Sequence, residues 1–536
     1  MTPPKNIDDF MRFGRHSLLV AIMLEIVMIS DCGNLLYMIF GGAVPTIEGC
    51  EEFPANVTAG WSQEKFCHAY HSRNEFANTT CSPIIKPEFF SVNVEFELLC
   101  DDTAHVKQST SIQMIGYLVG SMFWGQISDL YGRKKPMVAT LILNGIIGCV
   151  SAFIPNLMSF TILRVFVSLF FTGHLVIAMV YFCEIFPTKH RLWLAFVLNW
   201  SPNFIVVAVI AWLCGDWRVF SVAVNVICFA AAGLMCFCIE SPHFLIRSGK
   251  VDEAISALRY MYAVDGAELD EKELEAMISH EQKKLELIPK ERFSFPHLFC
   301  TWKLCGYTAA VFLSYFSTSI VSYALLFNME DIGGSIYMNT IAMGVFRLVI
   351  NLCSAAADLK LPWLGRKKAH KFFCFYSIAT LLIALVADRI GVEDAWAVVI
   401  RYMLLSTASM VCQMFAIVSV VCNEVFPTPV RNLAYAMSQV SESAGAALGP
   451  QLFGLRAFGT WVPLAVMLAC VIGDLTTFHF CIPETKDLPL ADHMPEGENR
   501  MGPFRKTSKI INSATTSGYS SPNHKLSIHS TSSIAA

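Results

Sequence analysis

Charged side chains are scarce in this sequence. Asp, Glu, Lys and Arg make up 15% of its 536 residues, whereas 54% are hydrophobic. Soluble proteins carry about 25% charged residues, so a set of water-soluble domains is excluded. Apolar stretches of about 20 residues, long enough to cross a bilayer core of ~30 Å as a helix, recur along the chain. The composition therefore predicts an all-α membrane protein surrounded by lipid.

The motifs of pumps and enzymes are also absent. The sequence has no glycine-rich phosphate-binding loop, no cluster of metal ligands at motif spacing and no credible pair of nucleophile and base. These absences argue against an ATP-driven pump and an intramembrane enzyme, and no cofactor, metal or nucleic-acid partner is expected. A transporter with this sequence must use existing gradients.

Twelve apolar stretches have the length of transmembrane helices. They cover residues 17–40, 109–128, 136–154, 157–182, 191–213, 217–239, 304–327, 335–357, 371–388, 396–422, 432–455 and 460–482. Short loops rich in Lys and Arg, including residues 133–135 and 360–371, all fall on one side of this arrangement. Positive charge marks the cytoplasmic side, so both termini of a multi-pass plasma-membrane protein are expected in the cytoplasm.

The segment between the first two helices, residues 41–108, has the features of an extracellular loop. It holds N-glycosylation sequons at Asn56 and Asn78 and four cysteines, Cys50, Cys67, Cys81 and Cys100. Four cysteines in an oxidising compartment allow three disulfide pairings, and free thiols are the alternative.

Polar segments divide the rest of the chain. The predicted order is a cytoplasmic N-terminus (1–16), a six-helix half (17–239), a cytoplasmic linker (240–303), a second six-helix half (304–482) and a cytoplasmic tail (483–536). Val251, Ile255 and Leu258 share a helical face, which predicts short linker helices covering the ends of the membrane helices. The tail is rich in Ser and Thr and is expected to be disordered.

An internal repeat relates the two halves. The segment Glu184–Arg191, with Phe-Pro-Thr at its centre, recurs 240 residues later as Glu424–Arg431. A looser repeat relates residues 129–135 to Asp358 and residues 365–368. Two similar halves imply a pseudo-twofold transporter with its substrate site between them, and a duplicated scaffold without transport is the alternative.

These motifs resemble known transporters. Residues 125–135 resemble the signature between helices two and three of the major facilitator superfamily. The closest resemblance, over residues 10–490, is to the organic cation, anion and zwitterion transporters of solute carrier family 22. It is carried by the first loop and by residues 181–191, 216–218, 240–245, 424–432 and 483–486. The resemblance implies the major facilitator fold and alternating-access transport of small organic ions. The first loop has four cysteines where the family often has six, and His243 replaces its usual Arg.

The repeated motifs also place acids and bases at cytoplasmic helix ends. One cluster is expected from Asp129, Arg133, Glu184 and Arg191, with Gly125 and Gly132 beside it, and a counterpart from Asp358, Arg366, Glu424 and Arg431. Coupled ion pairs of this kind can hold the cytoplasmic gate shut. The alternative is that the basic residues of these motifs only set the orientation of the helices in the membrane.

Charges within the apolar stretches are costly and are therefore candidates for function. They are Glu25, Asp31, Arg164, Arg347, Glu442 and Asp474. Asp31 and Arg164 lie at similar predicted depth and are expected to pair, either to neutralise each other or to couple transport to a proton, as acid–Arg pairs do in sugar porters. Glu25 is the less favoured partner.

The resemblance also points to substrate-binding positions. The position that selects charge in the eleventh helix falls on Ser443, next to Glu442, and the one in the eighth falls on Arg347. Tyr315 and Tyr323 can supply cation–π contacts or simply pack. The sequence favours a carrier of organic cations or zwitterions. An anion transporter, a sugar-porter-like or proton-coupled symporter and a non-transporting receptor stay as alternatives, and the oligomeric state is open.

Overall fold

The computed structural model describes residues 7–50, 67, 83–187, 189–191, 194, 198–287, 294–361, 363–391, 394–486 and 494. Its elements, in chain order, are α1 (Ile7–Phe10), α2 (Arg15–Gly41), β1 (Thr46–Cys50), β2 (Pro83–Lys86), α3 (Val92–Glu95), α4 (Thr103–Tyr131), α5 (Lys134–Ser151), α6 (Leu157–Ile185), α7 (Trp200–Cys214), α8 (Trp217–Phe237), α9 (Pro242–Arg247), α10 (Val251–Asp265), α11 (Glu271–Leu287), α12 (Trp302–Phe327), α13 (Ile336–Lys360), α14 (Arg366–Ile390), α15 (Asp394–Val425), α16 (Thr428–Leu448) and α17 (Val462–Cys481).

Each of the twelve predicted apolar stretches overlaps one helix of the described chain, namely α2, α4 to α8 and α12 to α17. Among the described residues, eight of these helices are long and apolar enough to cross a membrane. The helices α4, α5 and α16 are less apolar, and α7 is shorter. The predicted all-helical membrane fold is confirmed.

Polar side chains fix where several helices begin. The side chain of Asn156 accepts a hydrogen bond from the Ser159 amide at the start of α6. Asp216 does the same for α8, and Thr301 for α12. Each oxygen satisfies an amide that has no partner within its helix. Gly132 ends α4 with a φ of +96°, a backbone conformation that favours glycine.

Small residues allow the closest helix packing. In the first half α4 packs along α6, where Gly120 lies so near the Leu169 carbonyl that an added Cβ would approach it to 2.7 Å. In the second half α12 packs along α16 and α17. The halves meet where α4 contacts α16 and where α7 contacts α13. Any site between the halves is therefore bordered by these four helices.

We call the end of the bundle that carries Arg133 and Arg366 the motif end, and the opposite end, with residues 83–99, the loop end. At the loop end β1 and β2 pair antiparallel, and a disulfide joins Cys67 to Cys100. The Cys50 side chain, Cys81, Asn56 and Asn78 lie outside the described residues.

An acidic side chain fastens the loop to the bundle. Glu95 accepts hydrogen bonds from Arg218 and, at 2.6 Å, from the Trp217 indole. These donors hold the pKa of the Glu95 carboxyl below its ordinary value. The carboxylate form that makes the contacts is therefore present throughout the neutral range.

At the motif end the linker forms α9, α10 and α11. The Tyr262 hydroxyl of α10 donates to the Phe10 carbonyl, and the Asp265 carboxylate accepts from the His16 amide. Buried Leu258 and Met261 join the same apolar cluster as residues of α2. The linker thus covers the motif end of the first half.

Candidate functional site

Glu442 lies deep in the bundle on α16, yet its side chain stays partly accessible. Its carboxylate accepts a hydrogen bond of 3.2 Å from Gln439, and its main-chain carbonyl accepts one of 2.5 Å from the Ser319 hydroxyl. Ser443 is buried, and its hydroxyl donates to the Gln439 carbonyl. Glu442 rather than Ser443 is therefore the partly accessible side chain, as expected for residues ~100° apart on a helix.

Four tyrosines lie within electrostatic range of this carboxylate: Tyr117, Tyr315, Tyr323 and Tyr435. Tyr117 belongs to α4 in the first half, and the other three belong to the second half. The site therefore lies between the halves. Tyr315 and Tyr323 were candidates from the sequence, whereas Tyr117 and Tyr435 were missed because no local pattern distinguishes them from packing aromatics.

Arg347 of α13 lies within electrostatic range of one of these tyrosines, Tyr323. Its guanidinium donates to the Cys412 sulfur at 3.2 Å and lies 4.6 Å from the centre of the Phe204 ring of the first half. Among the described residues no carboxylate lies within 4 Å of it. Glu442 interacts electrostatically with the same tyrosine. An acid and a base thus flank one tyrosine without pairing directly.

The predicted pair of Asp31 and Arg164 is wrong. His174 Nε2 of α6 lies 2.6 Å from Asp31 Oδ1, with both side chains fully buried, although the approach is poorly aligned for a hydrogen bond. Arg164 instead donates to the Gln113 side chain at 3.0 Å and to the Asn34 carbonyl at 3.0 Å. The α6 residue that contacts Asp31 lies ten residues beyond Arg164, ~15 Å along the helix, so the two predicted partners do not lie at the same depth.

The surroundings of Arg164 explain how a buried cation is tolerated. Its guanidinium lies 4.1 Å from the centre of the Tyr37 ring, and its donors meet oxygens of Gln113 and Asn34. Hydrogen bonds and a ring face replace part of its hydration. Glu25 is only partly buried, and its side chain interacts with Asn203 of α7. It is not part of the Asp31 pair.

The first-half cluster at the motif end is built around Arg133, which is 4% exposed. Its guanidinium donates two hydrogen bonds of 2.9 Å to the Glu184 carboxylate and lies 3.2 Å from Asp129. It also donates to the Ser128 carbonyl at 2.7 Å. The Arg133 amide donates to Glu240, a residue that the sequence did not place in the cluster.

The second-half cluster is more open. Arg366 donates to Asp358 at 2.6 Å and lies 3.6 Å from Glu424. Lys486 Nζ also lies 3.2 Å from the Asp358 carboxylate, and the Thr485 hydroxyl donates to Glu424. In the first half, Gly125, which was predicted beside the Arg133 cluster, sits against Val176 with room for a Cβ.

Arg191 and Arg431 have a different part from the one predicted. Arg191 Nε donates to the Phe186 carbonyl, and Arg431 Nε to the Phe426 carbonyl, so the same turn recurs in both halves. The other end of Arg191 pairs with Asp8 at 2.9 Å rather than with Glu184. The repeated arginine therefore closes the turn after α6 and α15.

Hydrogen bonds between the halves, in the described part of the chain, lie at the loop end and near mid-membrane. Glu88 accepts from the Ser335 hydroxyl and the Ile336 amide, and Gln451 donates to Ser111. Asn351 donates to the Ser201 hydroxyl at 2.8 Å deeper in the bundle. The two charged clusters at the motif end each remain within their own half. This arrangement is closed at the loop end.

Two helical halves that enclose a polar site define a transporter of the major facilitator type. The family described as "Sugar (and other) transporter" matches residues 53–495, and the chain belongs to this family. The xylose transporter XylE from E. coli, in its inward open conformation, shares the fold with a TM-score of 0.60 at 15% identity, covering 88% of this chain and 97% of that chain. The protein is a secondary transporter and not an enzyme.

Curated relatives agree with the resemblance to organic ion transporters. The Organic cation transporter-like protein of Drosophila melanogaster is 24% identical over 85% of this chain and 80% of its own length. Solute carrier family 22 member 4 of Mus musculus is 25% identical over 77% and 73%, respectively. Member 11 of the same family in Homo sapiens is 27% identical over 76% and 74%.

Proposed function

We propose that this transporter carries small organic cations or zwitterions across the plasma membrane by alternating access. The observation that carries the proposal is Glu442, a partly accessible carboxylate on a helix that packs against the other half, with four tyrosines within electrostatic range. A carboxylate and aromatic faces together recognise an organic cation through Coulomb attraction and cation–π contacts. The names of the organic cation transporters among its relatives support the same substrate class.

Arg347 extends the proposal to zwitterions. Its guanidinium has no carboxylate partner among the described residues and shares Tyr323 as a neighbour with Glu442. A substrate with an amine and a carboxylate can therefore meet one charge at each end. Arg347 is also the observation that favours an organic anion transporter, the second candidate. Uptake of labelled cations, zwitterions and anions by purified protein in liposomes distinguishes them, and a non-transporting receptor takes up none.

The alternating-access mechanism rests on where the halves touch. Contacts such as Glu88 with Ser335 close the loop end, while the motif-end clusters leave the halves free to part there. With the motif end in the cytoplasm, as the basic loops predict, this state is closed to the outside. The motif-end clusters are proposed to act as the gate when the halves rock back.

The proposed orientation gives a biochemical prediction. Asn56 and Asn78 are expected to carry glycans because the loop end then faces the secretory lumen. Glycosidase should increase the gel mobility of the protein, and Asn56→Gln and Asn78→Gln should each remove one glycan. Asn199→Gln is the control, because Asn199 also begins a sequon, Asn199-Trp200-Ser201, but precedes α7 within the bundle. Unchanged mobility, with thiol reagents labelling Cys50 and Cys81 without reduction, would contradict the orientation.

Asp31 and His174 are the proposed place of proton coupling. A fully buried carboxyl and imidazole 2.6 Å apart can share or release a proton as the bundle rearranges. Uptake is expected to depend on pH, and His174→Gln should flatten this dependence. His105→Gln, at an exposed histidine, should leave it intact. An unaltered pH profile in His174→Gln excludes coupling through this pair.

A further inference from the structure

A second buried group of chemically reactive side chains lies in the second half, outside the substrate site. His370 and Cys374, one turn apart on α14, face Asp474 of α17, and all three are fully buried. His370 Nε2 lies 3.3 Å from Asp474 Oδ2, and Cys374 Sγ lies 3.6 Å from His370 Nδ1 and 3.9 Å from Asp474 Oδ2. From the sequence, Asp474 was a candidate as a charge in an apolar stretch, but its partners were not, because they lie on another helix about 100 residues earlier in the chain.

The internal repeat shows that packing does not require these residue types. Aligning Arg133 with Arg366 places Met137 opposite His370 and Leu141 opposite Cys374. Aligning Cys238-Ile239 with Cys481-Ile482 places Ala231 opposite Asp474. Met137, Leu141 and Ala231 are fully buried and belong to one apolar cluster. The first half therefore fills the same space with an ordinary hydrophobic core.

The polar group is also incompletely satisfied. Asp474 Oδ1 is buried without a hydrogen-bond partner among the described residues. Leaving a buried carboxylate oxygen unpaired is costly, and a bound cation removes that cost. Ser314 places its hydroxyl 3.3 Å from His370 Nε2 and so offers an oxygen as a fourth ligand atom at the same place.

We propose that His370, Cys374 and Asp474 form a binding site for a thiophilic divalent cation, with Zn²⁺ as the best match. Imidazole nitrogen, thiolate sulfur and carboxylate oxygen are the ligand types that zinc prefers, and it takes four of them in a tetrahedron. One ligand atom from each residue lies within 4.8 Å of the others, so shifts of about an ångström bring them to one ion. A bound ion links α14 to α17 and stiffens the half that rocks as a unit.

The chain offers a matched control for the test. Cys422 of α15 is equally buried, and no described His or carboxylate joins it in a cluster of this kind. The probes are ZnCl₂ and CoCl₂ added to purified full-length protein that is then desalted. We expect about one metal per chain in the wild type and in Cys422→Ser, and at least a tenfold loss of bound metal in Cys374→Ser and Asp474→Asn.

Cobalt reports on the ligands directly in the wild type, without depending on how a variant folds. A thiolate-to-cobalt charge-transfer absorption that EDTA removes, together with a melting temperature that EDTA lowers by several degrees, is the expected result. Absence of that absorption in the wild type overturns the proposal. Full metal retention by Cys374→Ser also overturns it, because the sulfur would then not be a ligand.

Discussion

Glu442→Gln is expected to reduce uptake of organic cations at least tenfold at matched surface expression. The substitution keeps the size of the side chain and its contact with Gln439 but removes the negative charge that lies within electrostatic range of the tyrosines. A charge-assisted contact is worth about 1.5–3 kcal/mol, which corresponds to a factor of roughly 10 to 100 in affinity. The measurement is initial uptake of labelled cations, zwitterions and anions by the wild type and the variant.

Two variants control this experiment. Ser443→Ala alters the neighbouring side chain, which is buried and bonded to its own helix, so cation uptake should change little. Arg347→Gln should spare cations and reduce zwitterion uptake, because only the latter present a carboxylate to the guanidinium. Cation uptake unaffected by Glu442→Gln would contradict the proposed site. Anion uptake that Arg347→Gln abolishes would favour the anion transporter.

Helices could be predicted from the local sequence, but contacts between residues on different helices could not. The composition of a stretch such as 217–239 is enough to predict a membrane helix. The observed α8 ends within two residues of that prediction. Glu442 stood out because a carboxylate in an apolar helix is costly. Its neighbour Tyr117 comes from another half of the molecule, and only the packing of α4 against α16 brings the two near each other.

Histidine was the signal that could have been found. A criterion of formal charge inside the apolar stretches passes over His174, which contacts Asp31. His370, which contacts Asp474, lies one residue outside the predicted stretch 371–388. Both histidines lie within helices apolar enough to span a membrane. A titratable ring in such a helix needs a partner, and listing it beside the acids would have suggested both pairs.

The repeat indicated which residues matter at the motif end but not what they contact. Arg191 and Arg431 occupy equivalent positions, and both bond to a phenylalanine carbonyl at the end of the preceding helix. In both halves the arginine lies five residues after the carbonyl to which it donates. The repeat therefore indicates a shared local turn and not a shared long-range partner. The partner Asp8 lies far away in the chain and has no counterpart in the repeat.

Arg133→Ala is expected to be far more damaging than Arg366→Ala, although the two arginines are equivalent in the repeat. Arg133 is almost fully buried and holds Glu184 with two hydrogen bonds, so its loss leaves a carboxylate that is only 18% exposed without its main partner. Removing one partner of a buried pair costs about 3–5 kcal/mol. Arg366 is 25% exposed, and its partner Asp358 keeps Lys486. Its loss should cost about 1 kcal/mol or less.

The melting temperature of each purified variant measures this difference, and uptake per surface molecule measures the gate. Arg133→Ala should lower the melting temperature by about three to five degrees, and Arg366→Ala by about one degree at most. Arg133→Lys keeps the charge but cannot make both bonds to Glu184, so its melting temperature should fall between those of Arg133→Ala and the wild type.

Asp129→Asn tests the gate separately from stability, because Asp129 is 67% exposed and contributes little to folding. Uptake per surface molecule should fall in Asp129→Asn while its melting temperature stays near that of the wild type. Normal uptake in that variant would refute the gate, and equal melting temperatures for Arg133→Ala and Arg366→Ala would refute the asymmetry between the clusters.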